Sequence, residues 1–174
     1  MKKALTVLIT ISVLVLLPGL IFAQLTEGTT LQAVMLDRDN GGRLDHTGWQ
    51  SNFAEKRLHL IFYINPMDKK LYQPFFDRLK AEQLLATDVS LTAIVNLKAS
   101  WIPSSIVISH VEKKQEPGIL YLLDRSRFVR KQWALDADNC AIAVDQTGKV
   151  LFYRTGKLSG EDSERLVKLL TNGR

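Results

Sequence analysis

The chain carries one cysteine and three histidines, so few constellations in it could do chemistry. Cys140 is the only thiol, which excludes an internal disulfide. It is either an inert buried sulfhydryl or a reactive single thiol able to form a mixed disulfide or a sulfenic acid. Residues 141–144 read as a core strand, and free cysteine packs well as a small hydrophobe, which favours the inert reading. His46, His59 and His110 have neither His-x-x-x-His nor Cys-x-x-Cys company, so no metal site is expected. His59 interrupts an apolar run and reads as a satisfied interior histidine, while the other two read as exposed. No Gly-rich phosphate loop or nucleophile elbow is present, and Ser104-Ser105 has no visible base, so no cofactor and no catalytic constellation are expected.

A second candidate is the junction Phe62-Tyr63-Ile64-Asn65-Pro66-Met67-Asp68-Lys69-Lys70, where an apolar strand turns towards a helix. Asn65 is predicted as N-cap and Pro66 as the first helical residue, which puts Asp68 three residues after the cap. The plain reading is a well-capped helix. The sharper one is a small anion or a partner's carboxylate held by the amides near Met67 and Asp68 with help from Lys69 and Lys70, although the charge of Asp68 competes with it.

These residues must be positioned by an alternation of apolar runs and amphipathic segments. Residues 58–64, 91–95, 119–123 and 140–144 are too apolar for half-exposed strands and suit a sheet covered on both faces. Between them Leu71, Tyr72, Phe75, Phe76 and Leu79 repeat at helical spacing, as do Phe128, Val129 and Trp133. The helix over 103–115 puts forward Trp101, Ile102 and Ile106-Val107-Ile108, more apolar surface than one buried face requires, and hence a core contact or a docking patch. Residues 30–36 and 43–50 flank Asp39-Asn40-Gly41-Gly42, a turn signal that predicts an N-terminal hairpin. The strand 140–144 is followed too closely by Val150 to allow a crossover, so an antiparallel hairpin is required. Ser159 then caps a last helix with Asp162 completing a capping box.

The resulting order, β-α-β-α-β-α-β-β-α, predicts an α/β protein with a central mixed sheet flanked by helices, an N-terminal hairpin extension, and a strand, turn, strand and helix ending like that of a thioredoxin core. Residues 1–23 carry Lys2 and Lys3 before an apolar run ending at Ala23, the layout of a signal peptide; the minor alternative is an uncleaved membrane anchor. Residues 24–174 are expected to form one domain in the periplasm, an oxidising compartment. Removing Lys2 and Lys3 lowers the formal net charge from +5 to +3. The densest basic cluster, Arg125, Arg127, Arg130 and Lys131, lies among Phe128, Val129 and Trp133 without a recognition motif, and nucleic acid is not an expected partner.

Ile94-Val95-Asn96, Ile102-Pro103, Arg130-Lys131-x-Trp133-x-Leu135-Asp136, residues 141–145 with Gly148, and Gly156 with Leu158 resemble the YtfJ family of small periplasmic proteins in the thioredoxin-like superfamily. The resemblance runs from about Lys56 to the C-terminus. It implies an architecture and a location but no catalytic residue. It also implies that the junction at Asn65–Asp68 stands where related redox proteins carry a cysteine pair, and no cysteine is there. The cis-proline of such folds would fall at Asn139 or Cys140, and a trans bond is expected instead. Asn139 and Cys140 would therefore lie near the vacant site. Three functions follow: a redox-inactive binding or adaptor protein with an unknown periplasmic partner or a small anion, contacted through Asn65, Pro66, Met67, Asp68, Asn139 or Trp101; a single-thiol redox protein or sensor using Cys140; and a structural envelope component.

Overall fold

Every residue of the run 58–64 is buried, as an apolar strand without alternation must be when both of its faces are covered. A computed structural model describes residues 24–68 and 70–172; the predicted signal peptide lies outside the described residues. Among these the order is β1 (Met35–Leu36), β2 (Gly41–Arg43), β3 (Trp49–Gln50), β4 (Leu58–Ile64), α1 (Gln73–Ala81), β5 (Val89–Asn96), α2 (Ser104–Lys113), β6 (Ile119–Asp124), α3 (Phe128–Gln132), β7 (Cys140–Asp145), β8 (Val150–Thr155) and α4 (Gly160–Thr171). None of these helices is long and apolar enough to cross a membrane.

The main sheet has the order β2-β6-β5-β4-β7-β8. Strands β4, β5 and β6 run parallel, and β2, β7 and β8 pair antiparallel with their neighbours. Period-two alternation sends Leu58, Leu60, Phe62 and Ile64 to one face, against Phe75, Phe76 and Leu79 of α1 and Leu166 and Leu170 of α4. The Phe62 ring lies 4.9 Å from those of Tyr72 and Phe76, and burying such a side chain is worth about 2–3 kcal/mol. Ile61, Tyr63 and Cys140 point to the other face, where α3 and the N-terminal segment bring Val129, Trp133, Leu31 and Leu36. Helix α4 begins with the predicted capping box, Ser159 accepting from the Asp162 amide and Asp162 accepting from that of Ser159.

Two local predictions fail, each for a stated reason. The helix after β4 does not start at Pro66. Residues 66–68 form a single 3-10 turn and α1 starts at Gln73, with Pro74 in its first turn. A helix running unbroken from Pro66 would put Pro74 in its interior, where it has no N–H to offer and its ring clashes with the preceding turn. Second, Gly41 and Gly42 are not a hairpin turn. They lie in β2, paired with Asp124 and Leu123, while the antiparallel N-terminal pair is formed by β1 and β3. A Cβ on Gly41 would sit 1.8 Å from the Leu123 carbonyl oxygen, so only glycine allows β2 this close to β6.

Candidate functional site

The carboxyl ends of β4, β5 and β6 meet the start of antiparallel β7, and each of these four strand ends carries a polar residue: Asn65, Asn96, Asp124 and Asn139. This is the edge at which open α/β sheets bind ligands. Asn96 and Asp124 are wholly buried, so their polar atoms must be paired within the protein.

The junction after β4 is held from across the sheet by one side chain. Asn139 Oδ1 accepts from the Asn65 amide at 2.8 Å, and Asn139 Nδ2 donates to Asp68 Oδ2 at 2.7 Å. Within the turn, Asn65 Oδ1 accepts from the Met67 amide, and the Asp68 amide donates to the Asn65 carbonyl. The sequence places Asp68 in the field of a helix N-terminus; the structure gives it a side-chain donor instead. Asn65, Pro66, Met67, Asp68 and Asn139 thus form one cluster, with Met67 exposed to solvent.

Cys140 sits behind this cluster as the first residue of β7, opposite Tyr63 of β4, and no part of it reaches solvent. Its Sγ lies 3.4 Å from the Ala137 carbonyl oxygen and 3.6 Å from the Tyr153 hydroxyl. Burial pushes the thiol up to about 11, against weaker opposing effects of these two hydrogen-bond partners. The Tyr153 hydroxyl itself donates to Asp136, so it is not a base for the sulfur. No peptide bond among the described residues is cis, Asn139–Cys140 included.

Two further groups brace the same edge, and the sequence reading gave neither of them a role. Asp124 accepts from the Tyr63 hydroxyl at 2.9 Å and from the amides of Ser126, Phe128 and Val129. It therefore caps α3 and ties it to β4; burial, with Asp124 adding to it, pushes the Tyr63 hydroxyl above its ordinary value. Asn96 donates to Asp138 Oδ1 at 2.9 Å, and Arg130 Nη1 reaches the same oxygen at 2.6 Å. A polar residue directly after an apolar run was the available signal for both.

The other predicted residues lie apart from this cluster or serve structure. Trp101 is 84% exposed in the segment before α2, with Ile106 of that helix 59% exposed and Val107 buried, so the predicted apolar surface is divided between core and solvent. His59 is held between the Phe53 carbonyl and Ser90 Oγ, at 2.8 and 2.7 Å. His46 is exposed, whereas His110 is half-buried, contrary to expectation, because α2 turns its last turns towards the sheet edge. Among the described residues no group of three or more His, Cys, Asp or Glu could hold a metal ion.

A family described as a bacterial protein of unknown function (YtfJ_HI0045) matches residues 35–173. An uncharacterized protein of Haemophilus influenzae is 28% identical over 106 residues, 59% of this chain; the chain covers only 58% of that relative's own length. Among solved structures, a Chlorobium tepidum protein assigned as the thiol:disulfide interchange protein DsbE superimposes with a TM-score of 0.64 at 13% identity, covering 84% of this chain and 96% of the other. The thioredoxin domain of a Bacteroides vulgatus thiol-disulfide oxidoreductase gives 0.59 at 14% identity, with 86% and 100% covered. The exposed lipoprotein thioredoxin of Streptococcus pneumoniae gives 0.57 at 13% identity, with 79% and 98% covered. At these identities the likeness is one of fold, and the fold is thioredoxin-like.

Proposed function

We propose, from the premise that this chain belongs to the YtfJ_HI0045 family of bacterial proteins of unknown function, that it is an exported binding or adaptor protein using the thioredoxin-like fold without dithiol chemistry. The observation that carries this reading is the Asn139 bridge. At the junction where the resemblance puts a redox pair, the chain has a hydrogen-bonded turn, Asn65 to Asp68, clamped from β7. A clamped turn keeps a fixed surface, which suits recognition. The exposed Met67 and the separate Trp101–Ile106 surface are the apolar contacts such a protein offers a partner.

The reading takes residues 1–23 as a signal peptide and 24–174 as one periplasmic domain. The exposed lipoprotein of similar fold supports an extracytoplasmic setting. A redox role through Cys140 is disfavoured, since a reactive thiol must be accessible and partly ionised near neutral pH, and this one is neither.

The test places a photo-crosslinking residue at Met67, at Trp101, or at the exposed Glu161 on α4, in living cells. A discrete adduct from Met67 or Trp101, absent from Glu161 and recovered in the osmotic-shock fraction, is expected. Identical patterns from all three positions, or a protein retained in the cytoplasm, would overturn the proposal.

A further inference from the structure

At the β2 edge of the main sheet, three strands from β4, a cleft of about 200 Å3 is lined by Arg38, Asp39, Gly41, Arg43, His46 and Arg125. The fold brings these residues together. Strand β2 lies against β6 with Gly41 opposite Asp124, and the Arg125 amide donates to the Asn40 carbonyl at 2.9 Å. Arg38, just before β2, and Arg43, its last residue, therefore flank the arginine that follows β6.

The pairing of the arginines separates this cleft from the rest of the surface. Arg57, Arg78, Arg127, Arg130, Arg154 and Arg165 each have a carboxylate partner. Among the described residues Arg38, Arg43 and Arg125 have none at ion-pair distance, Arg43 feeling only the more distant charge of Asp45, and all three line the same cleft. The sequence cluster of Arg125, Arg127 and Arg130 is split: the latter two share the Asp138 carboxylate, while Arg125 lines the cleft. Asp39 lines the cleft without an ion pair, and the nearby Asp45 carboxylate accepts from the amide and hydroxyl of Thr47 while keeping its charge in the field of Arg43.

We infer that this cleft is a binding site for a phosphate group. Three guanidinium groups outnumber the carboxylates beside them, Asp39 in the cleft and Asp45 near Arg43, so the cleft keeps a net positive charge that an anion balances. Guanidinium forks match the oxygens of a tetrahedral anion, and three of them exceed what one carboxylate can accept. The cleft, about 200 Å3 and open to solvent, has room for a phosphate group. None of Asn65–Asp68 lines the cleft, and the inference does not depend on the function proposed for that turn. The phosphate can belong to a soluble molecule or to a lipid headgroup.

Calorimetric titration of the chain, as recovered from cells, with inorganic phosphate separates these cases. Saturable binding is expected, weakened roughly tenfold or more by Arg125→Gln and by Arg38→Gln, since a hydrogen bond to a charged group is worth about 1.5–3 kcal/mol. Lys157→Gln, which removes an exposed charge elsewhere, leaves it unchanged. Arg38 is exposed, so its variant keeps the test valid if Arg125→Gln perturbs folding. In parallel, sedimentation with phosphatidylcholine vesicles containing phosphatidylglycerol tests the lipid source: binding that depends on Arg125 assigns the phosphate to a headgroup. Absence of binding in both arms, or equal loss in the arginine variants and Lys157→Gln, overturns the inference.

Discussion

Replacing Asn139 by aspartate removes one hydrogen-bond donor while preserving shape. In the native protein Asn139 Nδ2 donates to Asp68 Oδ2 at 2.7 Å, and Asn139 Oδ1 accepts from the Asn65 amide. Asn139→Asp keeps the second contact and sets two carboxylates face to face in the first. A hydrogen bond to a charged group is worth about 1.5–3 kcal/mol, and because this pair is solvent-accessible the lower end applies, about 1–2 kcal/mol near neutral pH. For a domain of this size that lowers Tm by roughly 2–8 °C. The loss depends on pH with a definite sign. Two facing carboxylates raise the affinity of the folded state for one proton above that of an unfolded aspartate, about 3.9. Near pH 4 a shared proton restores the contact, and the deficit relative to wild type grows as pH rises through the raised value. Asn139→Ala loses the bond at every pH and supplies the control. Urea unfolding of wild type and both variants near pH 4 and pH 7 reads the effect. A deficit in Asn139→Asp that is the same at both pH values, or below about 0.5 kcal/mol at pH 7, would refute the clamp as described.

The buried brace makes a stronger demand. Asp124→Asn leaves at least one α3 amide or the Tyr63 hydroxyl facing a donor, and a loss of about 3 kcal/mol in chemical unfolding is expected. Tyr63→Phe should cost about 1–2 kcal/mol, and the double variant less than the sum, because the two share one bond. Trp101→Ala should change stability by less than about 0.5 kcal/mol, since the residue is 84% exposed; a loss of core-truncation size, about 3 kcal/mol, would place it in the core.

The layered core was readable because its strands are long and unbroken in apolar character. The four runs from 58–64 to 140–144 became β4 to β7, and Ser159 with Asp162 formed the capping box their spacing required. The misread features depend on contacts distant in sequence. Gly41-Gly42 is locally a turn signal, and only β6, some eighty residues away, makes it a strand. Asn96 and Asp124 look like loop residues until Asp138 and the α3 amides close over them. The start of α1 was different, as Pro74 marked it in the sequence and local capping at Asn65 was given too much weight. For the site, the sequence located the junction and the neighbouring Asn139; it contained no sign that the two are joined, since that bond spans 74 residues.

The central claim, that this member of a thioredoxin-like family has no working thiol at the vacant junction, is tested most directly by timed alkylation of Cys140 in the native and the unfolded chain, with mass-spectrometric readout. A thiol pushed up to about 11 is almost entirely protonated near pH 7.5, so the native rate should be at least about a hundredfold below the unfolded one. Native labelling as fast as unfolded, with a thiolate forming below about pH 8.5, would contradict the account and return Cys140 to the centre of the function.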